Sequence, residues 1–281
     1  MPRLHAKHRT EIAYAGPAGE SVNEIRLTPR DNGRQRVEWS HVRVDPAAEL
    51  FGHVDSFGNR VSWFQLVDAH PLLVVESEAV VETRPCVPLS DVDGPPLSDL
   101  DDPAYVDRAA EFLSTSAHVR WGEPIAAFAD GLGVAEDLTV PEWARAVESA
   151  VNRAITYTPG ATRVDTPVEE VVRVARGVCQ DLAHLMIAVC RRRGLGARYV
   201  SGWLYEPGRE GPGESHAWIE VDIPGIGWRE MDPTHPGADY EHYVRLAVGR
   251  DYADVPPLRG SYLGPPTERM TVSVEVREIP A

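Results

Sequence analysis

Cys179, His216 and Asp232 lie far apart along the chain, yet their side chains are of the types that together can break an amide. A thiolate attacks the carbonyl carbon, an imidazole moves the proton between sulfur and leaving nitrogen, and a carboxylate holds the imidazole in the working orientation. Each residue also has an ordinary reading. Free cysteine is usually a small core residue, a strand histidine is commonly satisfied by a carbonyl, and an aspartate before Pro233 is a common turn or cap residue. Spacing joins them. Asp222-Ile-Pro-Gly-Ile-Gly227 is a turn signal between alternating segments, so its flanks are expected to form an antiparallel hairpin. His216 and Asp232 are equidistant from Pro224. A reversal there makes them cross-strand neighbours on one face, with Cβ atoms roughly 5 Å apart.

The elements that must position these groups are readable in outline. After Gly177 a helix is expected to run to Arg193 and close at Gly194, with Arg191, Arg192 and Arg193 at its negative end. Cys179 then sits in the first turn, on a stripe with Leu182, Ala183, Met186, Ile187 and Cys190 that faces the body of the protein. Helix N-termini expose unpaired N–H groups that favour a thiolate, and the backbone N–H of Cys179 is the natural first donor to an oxyanion. The second donor has no assignment. Gly177 is expected to allow a tight turn and leave room for a substrate chain. Upstream, Thr166-Pro-Val-Glu169 reads as a capping hydroxyl, a first-turn proline and a reciprocal glutamate. Further helices are expected over 104–113, 125–132 and 141–155, and strands over 197–205, 216–221, 228–232 and 270–279.

The beginning of the chain reads differently. Short, partly alternating runs over 4–15, 22–28, 34–44, 61–66 and 72–82 predict strands, with a tight reversal at Asp55-Ser-Phe-Gly-Asn59. From Arg84 to Pro103 the composition shifts to Pro, Asp, Ser and Gly, which bend the chain and hold water but build no buried face. The expectation is an α+β protein. An N-terminal antiparallel β domain (1–84) is followed by a linker (85–104), then by helices and an antiparallel sheet that includes the last strand (105–281).

Five segments carry a resemblance. Gly177-Val-Cys-Gln-Asp181, Ala183-His-Leu185, Ala197-Arg-Tyr-Val-Ser-Gly202, Ser215-His-Ala-Trp218 and Asp232-Pro-Thr234 resemble, in order, the core of the bacterial transglutaminase-like superfamily. Leu27-Thr-Pro-Arg30 and Asp55-Ser-Phe-Gly-Asn-Arg60 resemble the β domain that commonly precedes that core in bacterial members. The resemblance implies a papain-like fold, a thioester at Cys179, a base at His216 and an orienting carboxylate at Asp232. It also implies a protein or peptide substrate, with a primary amine or water as the second nucleophile. Transglutaminase and cysteine peptidase or amidase differ only in that nucleophile. A protein-binding module on the same fold is a third reading, and the intact triad speaks against it.

Around the triad, Gln180, His184, Tyr157, Trp203 and Trp218 are candidates for substrate contacts or for support of the reacting groups. His235, His242 and Asp239 match no familiar zinc spacing, and the glycines over 208–213 and 225–227 lack a GxGxxG order or a Walker lysine, so neither metal nor cofactor is expected. The first of these glycine-rich pieces precedes His216 and is expected to border the cleft. A net charge of −15 without a basic stripe argues against nucleic acid. The stretch from Met1 to Gly19 has no continuous apolar run, and Cys86, Cys179 and Cys190 form no CxxC pair. These features lead to the expectation of a cytoplasmic chain with free thiols and no membrane association.

Overall fold

The chain opens in one long strand, β1 (Arg3–Ile25), where two had been expected. In the computed structural model, which describes residues 1–208, 215–265 and 268–280, β1 bends instead of breaking. Its register slips between Ala13 and Ala18 on one side and between Gly19 and Val22 on the other, and such irregularities increase twist. The two halves therefore serve different neighbours. Arg3 to Tyr14 lies between β5 (His70–Thr83) and β13 (Glu268–Ile279), and Ser21 to Ile25 between β4 (Arg60–Leu66) and β12 (Leu258–Leu263). β2 (Gln35–Asp45) extends the sheet beyond β5, and β3 (Phe51–Val54) beyond β4. The β3–β4 reversal falls at the expected Asp55 turn, where Asp55 Oδ1 accepts from the N–H groups of Phe57 and Asn59 and Gly58 takes φ +83°.

The last strand corrects an expectation. β13 had been grouped with the helices and the sheet that bears His216, yet it pairs with β1 from Arg3↔Ile279 to Tyr14↔Glu268. The first half of β1 has a free edge opposite β5, and joining it puts Val274 and Val276 against the N-terminal core. Strands close in sequence usually pair, but here the apolar face that β13 can bury against β1 decides its partner.

The second module packs helices on a four-stranded antiparallel sheet of order β10-β9-β8-β11, formed by β8 (Ala197–Leu204), β9 (His216–Ile223), β10 (Gly227–Met231) and β11 (Tyr243–Gly249). The helices are α1 (Pro103–Leu113), α2 (Glu123–Gly131), α3 (Val140–Ala154), α4 (Val168–Val174) and α5 (Cys179–Arg193). A short parallel pair, β6 (Thr156–Tyr157) and β7 (Arg176–Gly177), precedes α5. Asp181 to Arg191 is buried throughout, which makes α5 the central helix, and Gly194 ends it at φ +93° as expected. Arg191 does not sit at an open helix end. It is buried and donates to the carbonyls of Ala197, Ser114 and Arg250.

Two further expectations change. Thr166 does not cap α4. Pro167 occupies the cap position and Thr166 Oγ1 accepts from Arg163 N–H, whereas the reciprocal arrangement occurs at α3, where Glu142 accepts from both Thr139 N–H and Thr139 Oγ1. The stretch from 85 to 104 does bury a face. Short 3₁₀ turns over Leu89–Asp91 and Leu97–Asp101 include the three-residue step that brings Leu97 and Leu100 to one side, and both enter the core beneath α5. The two modules also share a core, because Trp203, Val244 and Leu246 from β8 and β11 pack among Leu4, Leu27, Leu73 and Val75. Asn59 adds a polar tie, exchanging two hydrogen bonds of 2.8 Å with the backbone of Val248. Among the described residues no helix is long and apolar enough to cross a membrane.

Candidate active site

Cys179 owes its position to the segment just before it. The β6–β7 pair sets Tyr157 beside Gly177, Thr158 N–H donates to Gly177 O at 2.8 Å, and extended Val178 leads into the first helical residue. Asp181 folds back over this start, accepting from Val178 N–H at 2.7 Å and from Thr162 Oγ1 at 2.5 Å. Gly177 had been expected to leave room for substrate, yet a Cβ on it would lie 2.7 Å from Asp181 Cβ, so the glycine makes room for that carboxylate. The backbone N–H of Cys179, at the first helical position, has no intrahelical acceptor and remains available to an oxyanion.

His216 opens β9 opposite Gly202 of β8. The β9–β10 register, Gly227↔Ile223 through Met231↔Ile219, centres the reversal on Gly225 and not on Pro224. Continued by one step it sets Asp232 against Trp218, two residues from His216. Because side chains alternate, a two-residue offset keeps the face, whereas an offset of one would have lost it. The carboxylate reaches diagonally, and Oδ2 of Asp232 accepts from His216 Nε2 at 2.7 Å. Cys179 and His216 line the same cavity, which puts the thiol beside the ring. Burial works against a charge on His216, but the bond to Asp232 and the nearby thiol outweigh it and hold the imidazole up at about 10. Burial likewise works against ionised Asp232, and its bonds from His216 and His235 prevail, leaving it well below the usual carboxylate range.

The carboxylate is held by more groups than the sequence reading named. Tyr243 Oη donates to Oδ2 at 2.7 Å, His235 Nδ1 reaches the same oxygen at 2.9 Å, and Thr234 N–H donates to Oδ1 at 2.8 Å. Behind it, Glu148 of α3 accepts from Asp232 N–H at 2.8 Å. Burial pushes the Glu148 carboxyl up to about 8. His235 stands three residues after Asp232, and that nearness was the one signal available. Nothing local pointed to Glu148 or Tyr243. His216, Asp232 and His235 bring ligand-type atoms within 4.8 Å of one another, so His235 groups with the triad and not with Asp239 and His242. A cation there would compete with the hydrogen bonds just described.

A cavity of about 340 Å³ lies in front of the thiol. One wall comes from the second module, with Cys179, Gln180, Tyr199 and His216. The other comes from the N-terminal sheet, with His8 and Thr10 of β1 and Met270 and Val272 of β13. Of the five accessory candidates, Gln180 and Tyr157 line this cavity; Gln180 Nε2 is tied to Val164 O at 3.0 Å, and Tyr157 is half exposed. Trp218 lies beneath His216 with ring centroids 6.1 Å apart. Gly202 permits this, since a Cβ there would come within 2.4 Å of the Trp218 ring. Trp203 is buried in the core shared by the two modules and donates to His8 Nδ1 at 3.2 Å. His184 faces away, stacked on His118 and accepting from Tyr252 N–H, with burial lowering its imidazole to about 3. The piece over 208–213 expected at the cleft border falls, from residue 209, outside the described residues. Cys86, Cys179 and Cys190 are free thiols.

With a thiol beside a carboxylate-held imidazole and an open backbone N–H, the sulfur can attack a carbonyl and the imidazole can protonate the departing nitrogen. Residues 126–233 match the transglutaminase-like superfamily, and residues 4–82 match the bacterial transglutaminase-like N-terminal region. An uncharacterized protein of Mycobacterium leprae is 37% identical, with 99% of this chain and all of that protein covered. A protein-glutamine gamma-glutamyltransferase of Pseudomonas aeruginosa is 33% identical over 122 residues, which is 38% of this chain and 18% of that one. Among solved structures, a Cytophaga hutchinsonii protein described as a candidate cysteine protease superposes with a TM-score of 0.77 over 100% of this chain and 91% of its own, at 20% identity. The chain thus belongs to the transglutaminase-like superfamily, with the bacterial N-terminal region of that family built ahead of its core.

Proposed function

We propose that the protein is a cysteine acyltransferase acting on glutamine-type amides of a protein or peptide. The observation that carries this reading is that Cys179 and His216 line one cavity while His216 is bonded to Asp232 at 2.7 Å. Cys179 sulfur bonds to the carboxamide carbon, the C–N bond breaks, and the His216 proton leaves with ammonia. A primary amine then attacks the thioester, forming a new C–N bond as C–S breaks and returning its proton to His216. Water at the same step gives hydrolysis, the cysteine amidase reading.

The test offers a glutamine-containing peptide with and without a labelled primary amine. Covalent labelling with release of ammonia is expected, and Cys179→Ala should abolish it. Ammonia or a cut chain without label assigns hydrolysis instead. No reaction under either condition, with a Cys179 alkylation rate rising only near the pH 8.5 of an ordinary cysteine, overturns enzymatic function.

A further inference from the structure

We infer that Thr10, on the first strand of the N-terminal β region, is a positioning residue of the cleft: its hydroxyl donates a hydrogen bond to a carbonyl oxygen of the acyl-donor chain. The inference rests on the acyltransferase reading and gives the β region a part in substrate recognition.

The direction of the bond follows from three groups in series. Trp203 Nε1 has a proton to give and no lone pair to receive one, so His8 Nδ1, at 3.2 Å, must be the acceptor. A histidine accepting at Nδ1 is neutral and carries its proton on Nε2. That nitrogen lies 3.1 Å from Thr10 Oγ1 and therefore donates to it. Desolvation reinforces the same state, lowering the His8 imidazole to about 4. Thr10 Oγ1 has received its bond, and its own O–H has no acceptor among the described residues. Thr10, 2% exposed, is among the residues that line the cavity holding Cys179, and a carbonyl entering that cavity would supply the missing acceptor.

The strand also fixes the donor. Thr10 pairs with Val75 of β5 on one side and Val272 of β13 on the other, so its backbone is clamped from both edges. A donor held this way binds a carbonyl without an ordering cost at the moment of binding. The cavity chemistry suits an uncharged chain. Among the described residues its lining includes no Lys, Arg, Asp or Glu, so His216 is the one group there held charged, while a carboxamide or peptide carbonyl finds Thr10.

The experiment compares wild type, Thr10→Ser and Thr10→Val using two thiol reagents. One is a blocked dipeptide bearing a chloromethyl ketone at the end of a glutamine-length side chain, and the other is methyl methanethiosulfonate, which has no carbonyl. Thr10→Val should slow ketone labelling of Cys179 about tenfold, as expected for one lost hydrogen bond, and leave the methanethiosulfonate rate unchanged. Thr10→Ser should restore the ketone rate. If Thr10→Val does not fold, Trp203→Phe serves in its place. It frees His8 Nδ1, lets the tautomer invert and turns the Thr10 hydroxyl back to His8, which predicts the same selective loss. Equal ketone rates in wild type and variant overturn the role of Thr10 alone. A wild type that the ketone never labels, yet the methanethiosulfonate does, overturns the acyltransferase reading and the inference with it.

Discussion

Two buried histidines face each other across one cleft and sit in opposite protonation states. His216, on the wall with Cys179, is held up at about 10, and His8, on the wall from β1, is lowered to about 4. Burial disfavours charge at both, so burial does not separate them. Partners do. His216 meets a carboxylate and a thiol, whereas His8 meets an indole N–H that demands a lone pair. On the proposed function, one wall would hold a proton for a leaving group, and the other would keep a neutral ring that orients a hydroxyl. The signs for stability also oppose. Raised above its ordinary 6.5, His216 contributes stability that is complete below that value and is lost as pH rises through about 10. His8, depressed, binds a proton less readily when folded, so its environment costs stability as pH falls from 6.5 through about 4.

The sharpest way to break the contrast is Asp232→Asn, which removes the countercharge and should make His216 behave like His8. Acyl transfer is expected to fall by about 10³ to 10⁴-fold, the scale of losing the orienting carboxylate of a triad. The His216 imidazole, followed by NMR titration, should lose its proton near or below 6.5. An imidazole that stays protonated through about pH 9 in this variant would refute the assignment of Asp232 as its source of charge.

Gly202→Ala tests the packing under the charged wall. The new Cβ would meet Val244 O at 2.2 Å and the Trp218 ring at 2.4 Å, so a loss of about 3 kcal/mol is expected in urea unfolding. An unchanged midpoint would show that Trp218 is not wedged beneath His216.

Glu148→Gln should have the smallest effect on activity, within about twofold, because it still accepts from Asp232 N–H. Its signature is in stability. The Glu148 carboxyl, at about 8 against an ordinary 4.5, ionises more readily unfolded, so wild type loses stability as pH rises between those values. The variant should flatten that slope. Urea midpoints at about pH 5 and about pH 9 measure it, and parallel slopes in the two proteins would contradict a buried, proton-bearing Glu148.

The parts of the fold visible in the sequence were those specified by local chemistry. α5 starts at Cys179 and stops at Gly194, and the Asp55 turn and the β9–β10 hairpin lie where their turn residues put them. Parts specified by competition between surfaces were hidden. β1 runs through the expected gap between two strands, Leu97 and Leu100 bury in a stretch whose composition suggested only a linker, and β13 crosses to the other sheet. In the site, Cys179, His216 and Asp232 were legible because turn symmetry relates two of them, although the register slipped by two residues. Tyr243, Glu148, His8 and Thr10 come from β11, α3 and β1, and no local pattern ties them to the thiol.

Residue types, helix ends and turn positions determined which groups could react and which elements carry them, because those depend on a few neighbouring residues. Tertiary structure alone decided the opposite wall of the cleft and the charge of each histidine in it. A proton's affinity depends on what lies within hydrogen-bond reach, and for His8 that is Trp203, 195 residues away along the chain.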